Sequence, residues 1–270
     1  MLFRSDADGD SAVLSLQYVE ALRYASEMEA ALGNKDLARE DTERASLIAN
    51  AVKSLCWSKE YGLLSDTPEK THFSQHGNAF AVWLDVIPKD KQKAVMIKIM
   101  SASDPAFTAE GVPAKLSLAS YYYRFYLARA LVHSGLGARY LETLGPWKAM
   151  VSNGLTTWAE QPEPTRSDSH AWSAHPNYDL LTIVAGITPT SPNFKSVRIE
   201  PRLGSLKHVD AALSSPSGLI ALIVDIETRQ TEATVTIPDG MNGTFIWNGR
   251  EYPLIAGKQQ LSLPISPGGR

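Results

Sequence analysis

Hydrophobic residues recur at every third or fourth position through the first two thirds of the chain, a spacing typical of amphipathic helices. The first such stretch places Leu16, Val19 and Leu22 on one face. It stops at Gly33, a helix C-cap signal. The connections between the predicted helices are mostly short, which is the pattern of an α/α toroid or a helical solenoid. The predicted helices cover 11–34, 35–57, 74–88, 89–101, 113–137, 138–154 and 175–187.

Near residue 189 the hydrophobic period changes to two, which indicates β-strands. The dipeptide Asn248-Gly249 is a strong hairpin signal between two of them. These patterns predict an α+β multidomain protein. Residues 1–188 would form a helical domain of the α/α toroid or solenoid type, and residues 189–270 a C-terminal antiparallel β-sandwich. The predicted strand regions are 194–201, 208–227, 232–239, 243–254 and 258–266.

Composition and charge argue against several function classes. The net charge is -3 and no basic block occurs, so nucleic acid is not an expected partner. No apolar run reaches the roughly 18 residues that span a membrane. No export signal is visible either, so we expect a cytoplasmic protein. Cys56 is the single cysteine, and no acidic or histidine cluster has metal-ligand spacing, so no disulfide, metal or cofactor is expected.

A segment dense in aromatic, acidic and histidine side chains, at 154–181, joins the helical and strand regions. In it Glu160 lies two residues after Trp158, and a carboxylate partly desolvated by an indole ring is suited to proton transfer. Trp158 and Trp172 offer flat faces for a sugar ring, and His170 could bind a hydroxyl group. Taken alone, the same residues also fit an ordinary loop, with Glu160 solvated and His170 in a structural hydrogen bond.

The amino-acid sequence of this segment resembles that of the C-terminal half of bacterial α-L-rhamnosidases, glycoside hydrolase family 78. The resemblance is carried by "GLTTWAE", "SHAWSA" and "PNYDLLTIVAGITPTSPNFKSVRIEPRLGSL", and it extends from about Ser11 to Leu263. It implies that Glu160, which follows the Thr156-Thr157 pair at the family's spacing, is the general base. It also implies that His170 lies in the sugar pocket.

Two further groups of residues are candidates for sugar contact. The stretch "FSQHGNAFAVWLDVIP" resembles a helix of the same family that begins Gln-x-x-Asn, a pattern that Gln75 and Asn78 match. Since such helix starts face the central cavity in that family, the resemblance implies that Gln75 and His76 line the sugar site. A helix start can also simply be capped. The aromatic run "YYYRFY" at 121–126 favours core packing over ligand stacking.

The resemblance implies an inverting hydrolase that removes terminal α-L-rhamnose, so a rhamnosyl glycoside is the expected partner. In that family the general acid lies upstream of the matched region, and the helical domain is a six-hairpin α/α toroid with more helices than are predicted here. The resemblance therefore implies that residues 1–188 form a partial, incomplete α/α toroid of the six-hairpin type. We therefore expect a truncated chain that lacks the acid and is weakly active alone. A homo-oligomer could then cover the open edge of the toroid. The alternative is a non-catalytic carbohydrate-binding or assembly module derived from such an enzyme.

Overall fold

The computed structural model describes residues 11–228 and 230–264 of the chain. These residues form two compact units, which we call the helical unit and the strand unit. The helical unit contains the described residues up to Leu136 together with Glu142–Ser173, and the strand unit contains Gly137–Leu141 together with the described residues from Ala174 onwards. The protein is α+β, as predicted.

Seven α-helices lie in the described residues, six in the helical unit and one in the strand unit. Their bounds are α1 Ala12–Ala31, α2 Lys35–Cys56, α3 Gln75–Trp83, α4 Lys89–Met100, α5 Arg124–His133, α6 Gly145–Ser152 and α7 Pro176–Asp179. The last helix continues into a π-helical turn, Leu180–Val184. Within the described part of the chain, no helix has the length and apolar character needed to cross a membrane.

The helical unit holds four strands of two residues, β1 Trp57–Ser58, β2 Leu63–Leu64, β3 Phe73–Ser74 and β4 Leu116–Ser117. The strand unit holds β5 Ile187–Pro189, β6 Ser196–Ile199, β7 His208–Ser215, β8 Gly218–Ile226, β9 Thr231–Ile237, β10 Asn242–Trp247, β11 Arg250–Leu254 and β12 Gly257–Leu263. These eight strands build two four-stranded sheets, in the orders β11-β10-β6-β5 and β12-β9-β8-β7.

Serine caps explain where two of the helices begin. Ser11 Oγ accepts a hydrogen bond from Leu14 N at 3.3 Å, and Ser74 Oγ accepts one from Gly77 N at 3.1 Å. Each serine thereby satisfies one of the N–H groups that a helix start leaves without a partner. The first helix gives way to Gly33 at φ 89°, a left-handed conformation that glycine adopts without strain. The predicted starts of α1 and α3 are therefore confirmed.

The helix predicted over 113–137 is wrong in its first half, because α5 begins only at Arg124. Ahead of it, β4 pairs in parallel with β3. The backbone N–H of Ala119 donates to Gln75 Oε1 at 2.7 Å. These backbone groups are engaged in tertiary contacts and are not available to a helix. The helix predicted over 74–88 is too long, because α3 ends at Trp83 and does not reach Pro88.

The strand unit is built around apolar side chains that both four-stranded sheets contribute. Ile199 and Phe245 from one sheet and Leu222 and Val235 from the other are fully buried in one core. The predicted hairpin at Asn248-Gly249 is confirmed, since it joins β10 to β11 with φ values of 51° and 75°. One pair departs from the predicted antiparallel pattern, because β10 and β6 are parallel. No tight turn links these two strands, so neither direction is imposed on them.

A close backbone approach fixes glycine at position 186, just before β5. The nitrogen of Glu200 donates to Gly186 O at 3.0 Å. Gly186 has φ 70°, and a Cβ at this position would lie 2.0 Å from the carbonyl oxygen of Glu200. Any larger residue would therefore push apart the segments that flank β5 and β6.

Candidate active site

The segment between α6 and the 3₁₀ turn Ala171–Ala174 folds back on itself, so that its two arms run side by side. Glu160 N donates to Ser167 O at 2.9 Å, and His170 N donates to Trp158 O at 2.7 Å. Thr157 Oγ1 donates to the backbone oxygen of Asp168 on the opposite arm. These bonds across the loop bring the carboxylate of Glu160 and the ring of His170 to one place.

Glu160 is the central acid of this loop, and 10% of its side chain is exposed. Arg166 donates to both of its carboxylate oxygens, from Nε to Oε2 at 2.9 Å and from Nη2 to Oε1. His170 Nε2 lies 3.7 Å from Oε1. Arg166 itself is 72% exposed, so this bidentate pair is held at the protein surface and contributes about 1 kcal/mol or less.

His170 and Trp172 are neighbours with unused hydrogen-bonding groups. Their ring centroids are 4.7 Å apart. Nδ1 of His170 and Nε1 of Trp172 are buried, and neither has a hydrogen-bond partner among the described residues. A buried polar group without a partner is uncommon and often marks a place that a water or a ligand occupies. Because both atoms are buried, a ligand hydroxyl could bond them only if the two rings moved.

A chain of aromatic contacts connects Trp172 to the start of α3. Trp172 and Tyr122 have ring centroids 5.9 Å apart, and Tyr122 and Tyr126 are 6.2 Å apart. The ring centroids of Tyr126 and Tyr123 are 4.9 Å apart, and those of Tyr123 and His76 are 4.2 Å apart. Four of these five rings are only partly buried, Tyr123 being the exception. The predicted sugar residues His76 and Trp172 thus belong to one continuous series of rings.

Trp158 packs beneath the loop. It lies against a small apolar cluster whose buried members are Tyr121, Trp147, Met150 and Ala159. Trp147 Nε1 also donates to Ser173 O at 2.8 Å, which ties α6 to the end of the loop. These contacts make Trp158 a support for the backbone that carries Glu160, and its contact with a sugar stays a prediction.

Gln75 is fully buried and uses its amide within the protein. Its Nε2 donates to Ile99 O and to Ser103 Oγ, each at 2.8 Å, and its Oε1 accepts from Ala119 N. Asn78, one turn later, bonds both backbone groups of Leu64 at 2.8 Å. The two amides therefore hold the start of α3 against neighbouring segments, and a sugar contact by Gln75 stays a prediction.

His76 is partly buried, and its ring lies against the buried ring of Tyr123 at a tilt of 58°. Burial lowers the pKa of His76 to about 4. The imidazole is therefore neutral near pH 7, with a ring nitrogen that can accept a hydrogen bond. Burial also raises the pKa of Tyr123, so that its hydroxyl stays protonated. These two residues can offer hydroxyl-compatible polar groups without adding charge.

Sequence reasoning missed Arg166 as a partner of Glu160 and treated Tyr122 and Tyr126 as core residues. The aromatic run does supply fully or nearly fully buried rings, at Tyr121 and Tyr123. Tyr121, Tyr122 and Tyr123 precede α5, and they alternate between buried and partly buried positions. The sequence could have indicated this alternation only if the stretch had been recognised as non-helical. In the described residues, no group of three His, Cys, Asp or Glu side chains is placed to hold a metal ion.

Comparison with protein families finds one match, over residues 186–262, to the family described as the bacterial α-L-rhamnosidase C-terminal domain. No curated protein matches the chain. The family match covers β5 to β12 almost completely. It therefore assigns the sheets of the strand unit to a domain type found in these glycosidases.

Solved structures extend the likeness to most of the chain. The GH78 rhamnosidase of Bacillus sp. GL1 is 20% identical with a TM-score of 0.74, over 87% of this chain and 26% of its own. The α-L-rhamnosidase of Aspergillus terreus is 15% identical with a TM-score of 0.75, over 91% of this chain and 29% of its own. The Streptomyces avermitilis enzyme, solved with L-rhamnose, is 16% identical with a TM-score of 0.74, over 97% of this chain and 28% of its own.

The fold is thus that of glycoside hydrolase family 78 structures, over less than a third of the length of these three relatives. Together with the family match in the strand unit, this confirms the resemblance predicted from the sequence. Residues 186–262 thus match the C-terminal domain of bacterial α-L-rhamnosidases, and the fold of most of the chain is similar to part of the solved rhamnosidases.

Proposed function

We propose that this chain carries the general-base side of an inverting α-L-rhamnosidase site. Glu160 would take a proton from the water that attacks the anomeric carbon of a terminal α-L-rhamnoside. The observation that carries this proposal is the placement of one largely buried carboxylate beside His170 and the rings that follow it. His170, Trp172 and His76 would bind the sugar, and Trp158 would brace the loop.

The proposal includes the architecture expected for such an enzyme. The helices of the helical unit would be part of an α/α toroid, and the two sheets of the strand unit would form a β-sandwich, with the limit between the domains near residue 188. The likeness in fold to rhamnosidase structures supports both assignments. The shared apolar core of the two sheets supports the second.

Inverting hydrolysis needs a second carboxylic acid that protonates the leaving group, about 6.5–9.5 Å from the base. The proposal assigns that role to no residue of this chain. Protonation of the leaving group contributes about 10²–10⁴ in rate. The chain alone is therefore expected to act slowly on substrates whose leaving group must be protonated.

Arg166 bears directly on the chemistry. While its guanidinium bonds both oxygens of Glu160, it occupies one lone pair on each of them and leaves fewer positions from which the carboxylate could deprotonate a water molecule. Since Arg166 is mostly exposed, its withdrawal would require about 1 kcal/mol or less. The same closed pair favours the second candidate function, a non-catalytic carbohydrate-binding or assembly module in which Glu160 is a structural anion.

Leaving-group dependence separates the two functions. A 2,4-dinitrophenyl α-L-rhamnoside does not need an acid, so the full chain should hydrolyse it and leave an alkyl rhamnoside almost untouched. Glu160→Gln should lower the dinitrophenyl rate at least about 100-fold. Glu163→Gln, in the same loop but fully outside the pair with Arg166, is the matched control and should keep the rate.

Calorimetry with L-rhamnose completes the test. The module hypothesis expects binding without turnover of either substrate, with binding lost in Trp172→Ala and kept in Glu160→Gln. Turnover that Glu160→Gln leaves unchanged would contradict the assignment of the base. Absence of both turnover and rhamnose binding would contradict both functions.

A further inference from the structure

A second cleft lies in the helical unit, among residues that the Glu160 site does not use. Its volume is about 710 Å³. The end of α2, the segment from β1 to Glu60, and the connection between α3 and α4 surround it. Its apolar wall is formed by the buried side chains of Leu64, Val86 and Ile87. A concave surface of this size can hold a small oligosaccharide or a ligand of similar volume.

The rim of this cleft is strongly basic. Four exposed lysines line it, Lys53, Lys59, Lys70 and Lys91, against one acid, Glu60. Over residues 11–228 and 230–264, none of these four ammonium groups forms a salt bridge with a carboxylate. Like charges around a concave surface reinforce one another's potential, so the cleft attracts anions although the whole chain has a net charge of -3.

An aromatic ring stands between the lysines. Trp57 is partly buried, and Lys91 Nζ lies 5.5 Å from the centre of its ring. A smaller cleft of about 360 Å³ shares Trp57, Lys59 and Lys91 with the first. The indole therefore borders binding space in two adjoining clefts, with cations beside both. A flat apolar ring with ammonium groups at its edge matches a sugar ring that carries an anionic substituent.

We propose that this basic cleft binds an anionic saccharide, with a sugar ring against Trp57 and its carboxylate or sulfate groups against the lysines. Nucleic acid fits less well, because proteins that bind it usually carry a net positive charge and several stacking rings. Here the net charge is -3 and one aromatic ring lines the cleft. The proposal does not depend on Glu160, since no residue of the loop that carries it lines the cleft.

Calorimetry on the full chain tests this cleft with four probes of similar length: an oligogalacturonate, a sulfated chondroitin oligosaccharide, a neutral maltooligosaccharide and a single-stranded oligonucleotide. Binding of at least one anionic saccharide is expected at 50 mM salt, and it should weaken at 500 mM. The neutral saccharide should not bind measurably. Because the chondroitin oligosaccharide carries carboxylates as well as sulfates, tighter binding of it than of the oligogalacturonate would indicate that sulfate contributes to affinity.

Charge reversal locates the binding. The double variant Lys53→Glu/Lys91→Glu should weaken the anionic saccharide about tenfold or more, since two attractions become repulsions. Lys35→Glu/Lys148→Glu, which replaces two exposed lysines outside the cleft, makes the same change in net charge and should have little effect. Trp57→Leu should weaken binding about three- to tenfold. Glu160→Gln should bind as the unchanged chain does, which separates this test from that of the proposed hydrolase.

Several outcomes would overturn the proposal. These are the absence of binding by either anionic saccharide, equal losses in Lys53→Glu/Lys91→Glu and in Lys35→Glu/Lys148→Glu, and tighter binding of the oligonucleotide than of any saccharide. Far-UV circular dichroism checks that each variant is folded. Because the substituted lysines are exposed, their replacement should leave the fold intact.

Discussion

The interiors of the two units differ in polarity. Among the buried polar residues of the described chain, Asp179 and Thr231 belong to the strand unit, and all the others lie in the helical unit. The strand unit is held by a dense apolar core. The helical unit instead buries amides, hydroxyls and an ion pair that bond one another. A buried polar network fixes geometry more strictly than apolar packing does, and a site that must place a carboxylate benefits from that.

The ion pair of Asp104 and Arg124 is where this comparison predicts the largest effect. The two groups are 3.0 Å apart and almost fully buried. Asp104 also accepts from Ser103 Oγ, which in turn accepts from Gln75. Arg124→Met leaves the Asp104 carboxylate buried and unpaired, so unfolding free energy should fall by about 3–5 kcal/mol. Urea unfolding followed by circular dichroism at 222 nm measures the loss.

The matched control for this variant is Arg39→Met. Arg39 lies 3.0 Å from Asp36 in a pair that is mostly exposed, and such pairs contribute about 1 kcal/mol or less. If both variants lost the same amount, burial of the Asp104 pair would not be what makes it important. The polar interior of the helical unit would then be no more sensitive than its surface.

How much was readable from the sequence also differs between the units. The hairpin at Asn248-Gly249 and the alternating runs of the strand unit depend on neighbouring residues, and their prediction was confirmed. In the helical unit the stretch before Arg124 was predicted to be helical. There the backbone N–H of Ala119 instead donates to the side chain of Gln75, which belongs to α3. Such tertiary hydrogen bonds leave no periodic pattern, so propensity alone could not find them.

The candidate site shows the same limit. The family resemblance indicated Glu160 and His170, and the structure brings them within 3.7 Å of each other. It could not indicate Arg166, whose pairing with Glu160 depends on how the loop folds back. Nor could it show that Tyr122 joins Trp172, since those rings come from different segments. Contacts of this kind follow from packing, which the spacing of residues does not encode.

His76 makes the helical unit sensitive to acid. Its pKa is lowered to about 4 in the folded state, against about 6.5 when unfolded. Between these values the unfolded chain binds more protons, so stability rises with pH and is lost as pH falls below 6.5. This histidine should destabilise the fold by about 2 kcal/mol between pH 7 and pH 5.

His76→Phe keeps a ring against Tyr123 but cannot titrate, so its unfolding free energy should change less between pH 7 and pH 5. Urea unfolding at the two pH values measures the difference. His72→Gln, an exposed histidine of the same unit, is the control and should retain the full pH dependence. An unchanged pH dependence in His76→Phe would show that its burial is not what makes the unit acid-sensitive.

The smallest effect is expected in the strand unit, at Thr231. This residue is fully buried at the start of β9, and its hydroxyl has no hydrogen-bond partner among the described residues. Thr231→Val removes the unpaired hydroxyl at nearly constant shape and suits a strand, so unfolding free energy should stay within about 0.5 kcal/mol or rise.

Asn78→Leu is the counterpart of this variant in the helical unit. It removes three hydrogen bonds, and a fall in unfolding free energy of about 2 kcal/mol is expected. Urea unfolding of both variants compares the units directly. A clear loss in Thr231→Val would mean that the strand unit, too, depends on buried polar contacts, and the contrast between the two interiors would no longer hold.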